Sequence, residues 1–386
     1  MKKILILGGD GYLGWPTAMY LSSVGYDVTS IDNFSKRKIE IENNIKPLFR
    51  IETMQNRVLE WNSMGIGKNI KFYNGDLLNH RFVYEIIKST KPEAIIHYGE
   101  QPSAPYSMAG REQAVFTQHN NVIGTLNILF AVKKYSPGTH IVKLGTMGVY
   151  GTPNIDIEEG FLKVKHNNRT DVVHFPFKPQ SYYHLSKAHD SLNLSFASRV
   201  WGLNISDLNQ GVVYGADTEQ TKLSENLNTS FHYDHLFGTV INRFCVEAVC
   251  EKPLTVYGKG SQVRTFLNIE DTLKCVHLAI KNPPKNGEYL VRNQFTEIFS
   301  INELAQLVKM SANKLGFATK INHIENPRTE MQKHYYKPKN KSFLKLGLRP
   351  KKINQDFIIS VLKKIEKHKS RIDLKIIDPT IKWNQN

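Results

Sequence analysis

Cysteine is scarce in this chain of 386 residues: Cys245, Cys250 and Cys275 are all it has. They form no C-x-x-C pair and leave an odd one over, which argues against a disulfide framework or a thiolate zinc site and fits a reducing compartment. No H-E-x-x-H spacing occurs among the 14 histidines. His232-Tyr233-Asp234-His235 reads as loop polarity, and no metal is expected. Long apolar runs are lacking too. The "ILIL" that follows Met1-Lys2-Lys3 stops at "GGDGYLG", too short for a signal-peptide core, and nothing approaches the roughly 20 apolar residues of a membrane helix. The expectation is a cytoplasmic protein without a membrane partner.

Acidic residues are the other shortage, 35 against 51 Lys and Arg, for a formal net charge of +16. The bases are spread along the chain and thicken after residue 330, without the interleaved aromatics that stack on single-stranded nucleic acid. Such a charge suits a small anionic substrate better than nucleic acid, which is not expected as a partner. The length and a hydrophobic fraction of 40% allow one large domain with a second lobe.

What is present starts with "KKILILGGDGYLGWPTAMYLSSVGYDVTSIDN", which reads as a strand, a glycine turn, a helix to about Ser23 and a second strand. Gly9, Gly11 and Gly14 satisfy G-x-G-x-x-G, and Gly8, Gly11 and Gly14 the wider spacing. Glycines here let the backbone approach a pyrophosphate, whose charge the helix N-terminus then meets. Tyr12 and Leu13 lie inside the turn, and Asp32 and Asn33 follow the second strand. A carboxylate at Asp32 can take both ribose hydroxyls, which favours NAD. Lys36, Arg37 and Lys38 leave three readings open: a 2′-phosphate site, contacts to the adenosine phosphates, or a solvated face.

Further strands are expected at 70–78, 94–101 and 140–146, with helices near 79–90 and 112–135. Strands alternating with helices predict an α/β fold with a doubly wound parallel sheet. Asp76 and Leu77 would then meet the adenine edge, Tyr98, Gly99 and Glu100 would end a strand at the cofactor, and Asn120 would lie on the helix that follows. In "SYYHLSKAHDSLNLSFA", Tyr183 and Lys187 stand at i and i+4, on one helical face. A neighbouring ammonium, with the charge of an oxidised nicotinamide, would lower the phenol's pKa and let the phenolate take a hydroxyl proton during hydride transfer.

The glycine motif, Asp32, Asp76, Thr146 and the Tyr183/Lys187 pair resemble the extended short-chain dehydrogenase/reductase superfamily, in its branch that modifies sugar nucleotides with tightly held NAD. Within it, "GEQPSAPYSM", "TQHNNVIGTLN", "KLGTMGVYGTPNIDIEEG", "DLNQGVVYG" and "LTVYGKGSQVRTFLNIEDT" are similar to members that join UDP-glucose and sulfite. The resemblance implies an NAD-binding Rossmann domain over 1–210, with a hairpin inserted at about 161–175, and a smaller α/β lobe over 211–386 that mainly binds the UDP-sugar and returns some segments to the first domain. It implies cofactor contacts from Gln210 and Val213, and a diphosphate contact from Asn209. Thr239, Arg243, Tyr257, Gln262, Arg264 and Arg328 would hold UDP, since a diphosphate takes guanidinium forks. Residues 216–236 are either a flap over the substrate or a solvated excursion.

The reaction so implied oxidises C4, loses water across C5 and C6, adds sulfite at C6 and reduces C4 again, with no net use of NAD. Related dehydratases carry an Asp-Glu pair directly after the threonine, where this chain has Met147 and Gly148. His184, beside Tyr183, is the expected replacement, since imidazole exchanges protons near neutral pH. Pro102 stands where plant-type relatives have arginine, and Val149 where they tend to be acidic. Gln101, Ser103 and a mobile basic residue therefore remain as alternatives for holding the sulfonate. The rival readings are a UDP-glucose 4-epimerase, a 4,6-dehydratase and a non-catalytic NAD-binding regulator. A homodimer is expected, paired through the helix after Tyr183 and the one around 115–133, with free sulfite or a sulfite-donor protein feeding the site.

Overall fold

The computed structural model describes residues 2–329 and 335–383. The chain enters through β1 (Lys3–Leu7), crosses by α1 (Gly14–Ser23) to β2 (Asp27–Asp32), and makes an excursion through α2 (Ser35–Glu42) and α3 (Met54–Ser63) before β3 (Lys71–Asn74). Next come α4 (His80–Thr90), β4 (Ala94–His97), α5 (Ala104–Ser107), α6 (Arg111–Gln118), α7 (Gly124–Tyr135) and β5 (His140–Thr146). A hairpin of β6 (Phe161–His166) and β7 (Arg169–His174) precedes α8 (Tyr182–Trp201), β8 (Ile205–Gln210) and β9 (Val212–Tyr214). The remainder holds α9 (Val240–Val249), β10 (Leu254–Tyr257), β11 (Val263–Asn268), α10 (Ile269–Lys281), β12 (Tyr289–Gln294) and β13 (Glu297–Ser300). It ends with α11 (Ile301–Lys314), β14 (Ile321–Ile324), α12 (Lys341–Lys345) and α13 (Gln355–Lys367).

Seven strands form one sheet in the order β12-β8-β5-β4-β1-β2-β3, and every pairing is parallel. Apolar runs such as "ILIL" and "AIIH" are what such a sheet requires, because helices cover both faces and bury alternate residues equally. From β1 the chain first builds outward to β3, then resumes at β4 on the other side. The crevice at that reversal, beyond the strand ends, is where open α/β sheets bind ligands. It lies between the glycine turn after β1 and Tyr98–Glu100 after β4. β12 joins the edge of this sheet from late in the chain, while β13-β11-β9 and β10-β14 form small sheets of their own. A second core, including Phe244, Val256, Phe266, Leu304, Ile358 and Ile377, underlies those small sheets.

Two local features depart from simple helix and strand. The helix expected over 112–135 is interrupted at His119–Ile123 by a π-helical turn. That turn directs Asn121 inward, where it accepts from the Gln101 amide at 2.8 Å and donates to Gln101 O and Ser186 Oγ. The β6–β7 hairpin closes on Asn167 and Asn168, with φ of 45° and 62°, the left-handed pair that a two-residue turn demands and asparagine tolerates.

The α2–α3 excursion is fastened to the glycine turn by charge. Asp10 accepts from Arg37 at 2.6 and 2.7 Å and from Arg57, which is 0% exposed. Removing one partner of a buried pair leaves the other charge without compensation. Asp10→Asn should therefore destabilise the protein by about 3 kcal/mol, read from chemical denaturation. An unchanged midpoint would show that the excursion holds without this carboxylate.

Candidate active site

One cavity of about 450 Å³ opens at the sheet reversal. Of the residues expected at the cofactor, Gly8, Gly11, Tyr12, Leu13, Gly14, Asp32, Asn33, Leu77, Tyr98, Gly99, Glu100, Asn120, Gln210 and Val213 line it. Thr146, Met147, Gly148, Tyr183, His184, Thr239, Arg264 and Arg328 line the same space. The glycines are there for contact: a Cβ on Gly14 would stand 1.9 Å from Gly8 O, and one on Gly8, whose φ is +87°, 2.7 Å from Gly99 N. Asp32 ends β2 with its oxygens accepting from the Asp10 and Phe34 amides at 2.8 and 2.7 Å. Burial, with Asp10 close by, lifts its carboxyl to about 6. This close-backed turn, its helix and the carboxylate fit a dinucleotide.

The three bases after Asp32 are all engaged. Lys36 meets Glu40 and His232, Arg37 holds Asp10, and Lys38 stands 3.8 Å from Glu42. Arg37 thus lies outside the cavity and braces the turn from behind. Asp76 also lies outside, accepting from Leu78 N at 2.8 Å.

Several residues expected at the sugar and diphosphate point elsewhere. Gln101 donates to Thr117 Oγ1 and Ser103 O, and Ser103 donates to Leu236 O at 2.6 Å. Asn209 is buried and donates to the Tyr150 hydroxyl at 2.8 Å. Arg243 donates to Tyr257 Oη at 2.9 Å and to Thr255 O, and Gln262 to Tyr257 O. None of these six, Tyr257 included, lines the cavity. Pro102, Thr152, Gln180, Tyr336 and Trp383, none of them on the expected binding list, do.

At the catalytic end, Ser181 caps α8 by accepting from His184 N, and its hydroxyl lies 3.0 Å from His184 Nδ1. The cap fixes the imidazole. A Cβ on Gly148 would come within 2.2 Å of His184 Cδ2 and 2.4 Å of Nε2, so the ring occupies the volume that a side chain at position 148 would fill. Tyr183 follows the same cap, its amide donating to Ser107 Oγ at 3.0 Å. Thr146, ending β5, accepts from Gly148 N at 3.1 Å.

Lys187 stands behind Tyr183, with Nζ 5.7 Å from the ring centre, donating to Leu144 O at 2.7 Å and paired with Glu100. Glu100 also holds Lys143 at 2.5 Å, and Lys143 reaches Asp190 at 3.1 Å. Sequence inspection missed this buried set of two lysines and two carboxyl groups, although "VKL" placing a lysine inside an apolar strand was a visible signal. Burial alone would raise Glu100, but Lys143 and Lys187 hold its carboxyl well below the usual range. Burial and then Glu100 push the Tyr183 phenol upward, against a smaller opposing pull from Lys143. The expected acidification by Lys187 is therefore not realised by the protein alone: Glu100 neutralises that ammonium first.

A glycine-backed dinucleotide cradle facing Thr146 and Tyr183, with Lys187 behind the tyrosine, fits a nicotinamide-dependent enzyme. A model of the NAD dependent epimerase/dehydratase family matches residues 4–291, and the chain belongs to that family. Within it, the chain is 48% identical over 384 residues to the UDP-sulfoquinovose synthase, chloroplastic, of Spinacia oleracea, covering 100% of this chain and 80% of the relative. It is 42% identical over 386 residues to the UDP-sulfoquinovose synthase of Sulfolobus acidocaldarius, covering 99% and 98%. Among solved structures, UDP-glucose 4-epimerase of Thermotoga maritima with UDP-glucose has a TM-score of 0.69 at 20% identity, covering 95% of this chain and 99% of that one. The Thermus thermophilus epimerase in complex with NAD has a TM-score of 0.66 at 22% identity, covering 94% and 98%. These two likenesses bear on the fold, which is the Rossmann-type sheet expected.

Lys143→Met removes a charge that favours the phenolate, so Tyr183 should titrate at higher pH than in the native protein. The phenolate absorbance that disappears in Tyr183→Phe isolates this titration, and movement to lower pH would contradict the arrangement of charges described.

Proposed function

We infer that this chain converts UDP-glucose and sulfite into UDP-sulfoquinovose, with NAD as resident cofactor. The observation that carries the reading is the His184 imidazole in the space beside Gly148, in a chain related over its full length to UDP-sulfoquinovose synthases. NAD, when bound, supplies the oxidant for C4 of the sugar and returns the same hydride at the end. The glycine turn and the α1 N-terminus would hold its pyrophosphate, and Asp32 its adenosine ribose.

The chain's own residues handle protons. Tyr183 accepts the C4 hydroxyl proton and later gives it back, with Thr146 bonding the same oxygen. A ketone at C4 acidifies C5–H. His184 takes that proton and helps the C6 hydroxyl leave as water, the work for which dehydratases carry carboxylates. The sulfur lone pair of sulfite then bonds to C6, and C5 recovers a proton. The balance is UDP-glucose plus hydrogensulfite to UDP-sulfoquinovose plus water. A neutral imidazole repels incoming sulfite less than two carboxylates would. Gln101 and Ser103 are committed to internal bonds, which leaves the mobile basic residue as the alternative for holding the sulfonate.

Mass spectrometry of the sugar nucleotides formed from UDP-glucose with and without sulfite tests this reading. A sulfite-dependent product of UDP-sulfoquinovose mass is expected, with His184→Ala at least about 100-fold slower and still retaining NAD. UDP-galactose or a 4-keto-6-deoxy sugar in its place would make the chain an epimerase or a dehydratase.

We further propose a homodimer through α6, α7 and α8. Val115, Ile123, Phe130, Tyr182, Leu192, Phe196 and Val200 on these helices and the turn between them are at least 37% exposed, and a patch of large apolar residues marks an interaction site. Phe196→Glu combined with Leu192→Glu should yield a monomer by light scattering, and an intact dimer would move the interface elsewhere. No helix among the described residues is long and apolar enough to cross a membrane. Three unpaired cysteines support a reducing compartment such as the cytoplasm, where free sulfite or a donor protein would supply the second substrate.

A further inference from the structure

The chain beyond α13 returns to the mouth of the cavity. Ile377 is 0% exposed in the second core, His235 N donates to Ile376 O, and Trp383 N donates to Pro327 O at 2.9 Å. Between Ile377 and Trp383 the segment runs partly exposed, a strap fastened at both ends. Trp383 carries the Arg328 guanidinium 5.5 Å from its ring centre, within the range of a cation–π contact.

Trp383 and Arg328 line both the main cavity and a recess beside it that contains Arg243 and Tyr257. This recess measures about 20 Å³, room for one water and not for a phosphate. A nucleoside diphosphate therefore binds on the cavity side of Trp383. There it finds Arg264, Arg328 and Thr239, whose buried Oγ1 has no hydrogen-bond partner among the described residues. Guanidinium and hydroxyl groups suit the diphosphate oxygens. The planar base is left to the aromatic wall.

We propose that Trp383 is a ligand-contacting residue whose indole stacks on the pyrimidine of the sugar nucleotide, with residues 377–383 as the strap that positions it. The proposal rests on the UDP-sugar reading above.

Calorimetric titration of the NAD-loaded protein with UDP tests it, using Trp383→Leu to remove the π face and Trp383→Phe to keep one. Base–aromatic stacking predicts about tenfold weaker UDP binding in Trp383→Leu and most of the affinity restored in Trp383→Phe. The ligand-dependent change in tryptophan fluorescence should vanish in both. Native affinity in Trp383→Leu would overturn the proposal. So would equal losses in both variants, since the indole would then be only a structural wall. A native protein that binds no UDP would instead remove the reading beneath it, and the proposal with it.

Discussion

Glu100 is the ion on which the catalytic end is assembled. It follows β4, yet it binds Lys143 from β5 and Lys187 from α8, and Lys143 in turn binds Asp190 on α8. Three elements are thereby joined by four buried titratable side chains. Glu100, held ionised by two lysines, is the anion of the set, while burial pushes the Asp190 carboxyl up to about 8. This geometry also sets the resting chemistry. With Lys187 paired to Glu100, burial and that carboxylate hold the Tyr183 phenol protonated, and only a further positive charge in the cavity would favour its phenolate.

Much of the fold was legible because its signals are local. The glycine spacing, the apolar runs and the carboxylate at Asp32 each act within a single βαβ unit. The Tyr183/Lys187 pair needs only one helical turn to be read. What escaped inspection depends on contacts far apart in the chain. Ser103 was one alternative for holding the sulfonate but donates to Leu236 O, 133 residues away. Asp10, which the sequence did not single out, anchors Arg37 and Arg57. Asn209 ends a strand pointing the right way, yet the Tyr150 hydroxyl claims its amide inside the protein. In each case the partner that satisfies the polar group lies far away in the chain, where no local pattern points to it.

The same reasoning separates the two acid–base strategies that this fold accommodates. At position 148 a carboxylate and the His184 ring compete for one volume: a Cβ there already falls 2.2 Å from the imidazole. The glycine and the histidine are therefore one feature. Introducing an acid at 148 would displace the ring from its place over Gly148, and with it the contact of Ser181 Oγ to His184 Nδ1. A conversion between the two kinds of site thus requires coordinated changes at positions 147, 148 and 184. The volume beside Thr146 and Met147 is thus filled by an imidazole, which carries less negative charge than a carboxylate pair would place there.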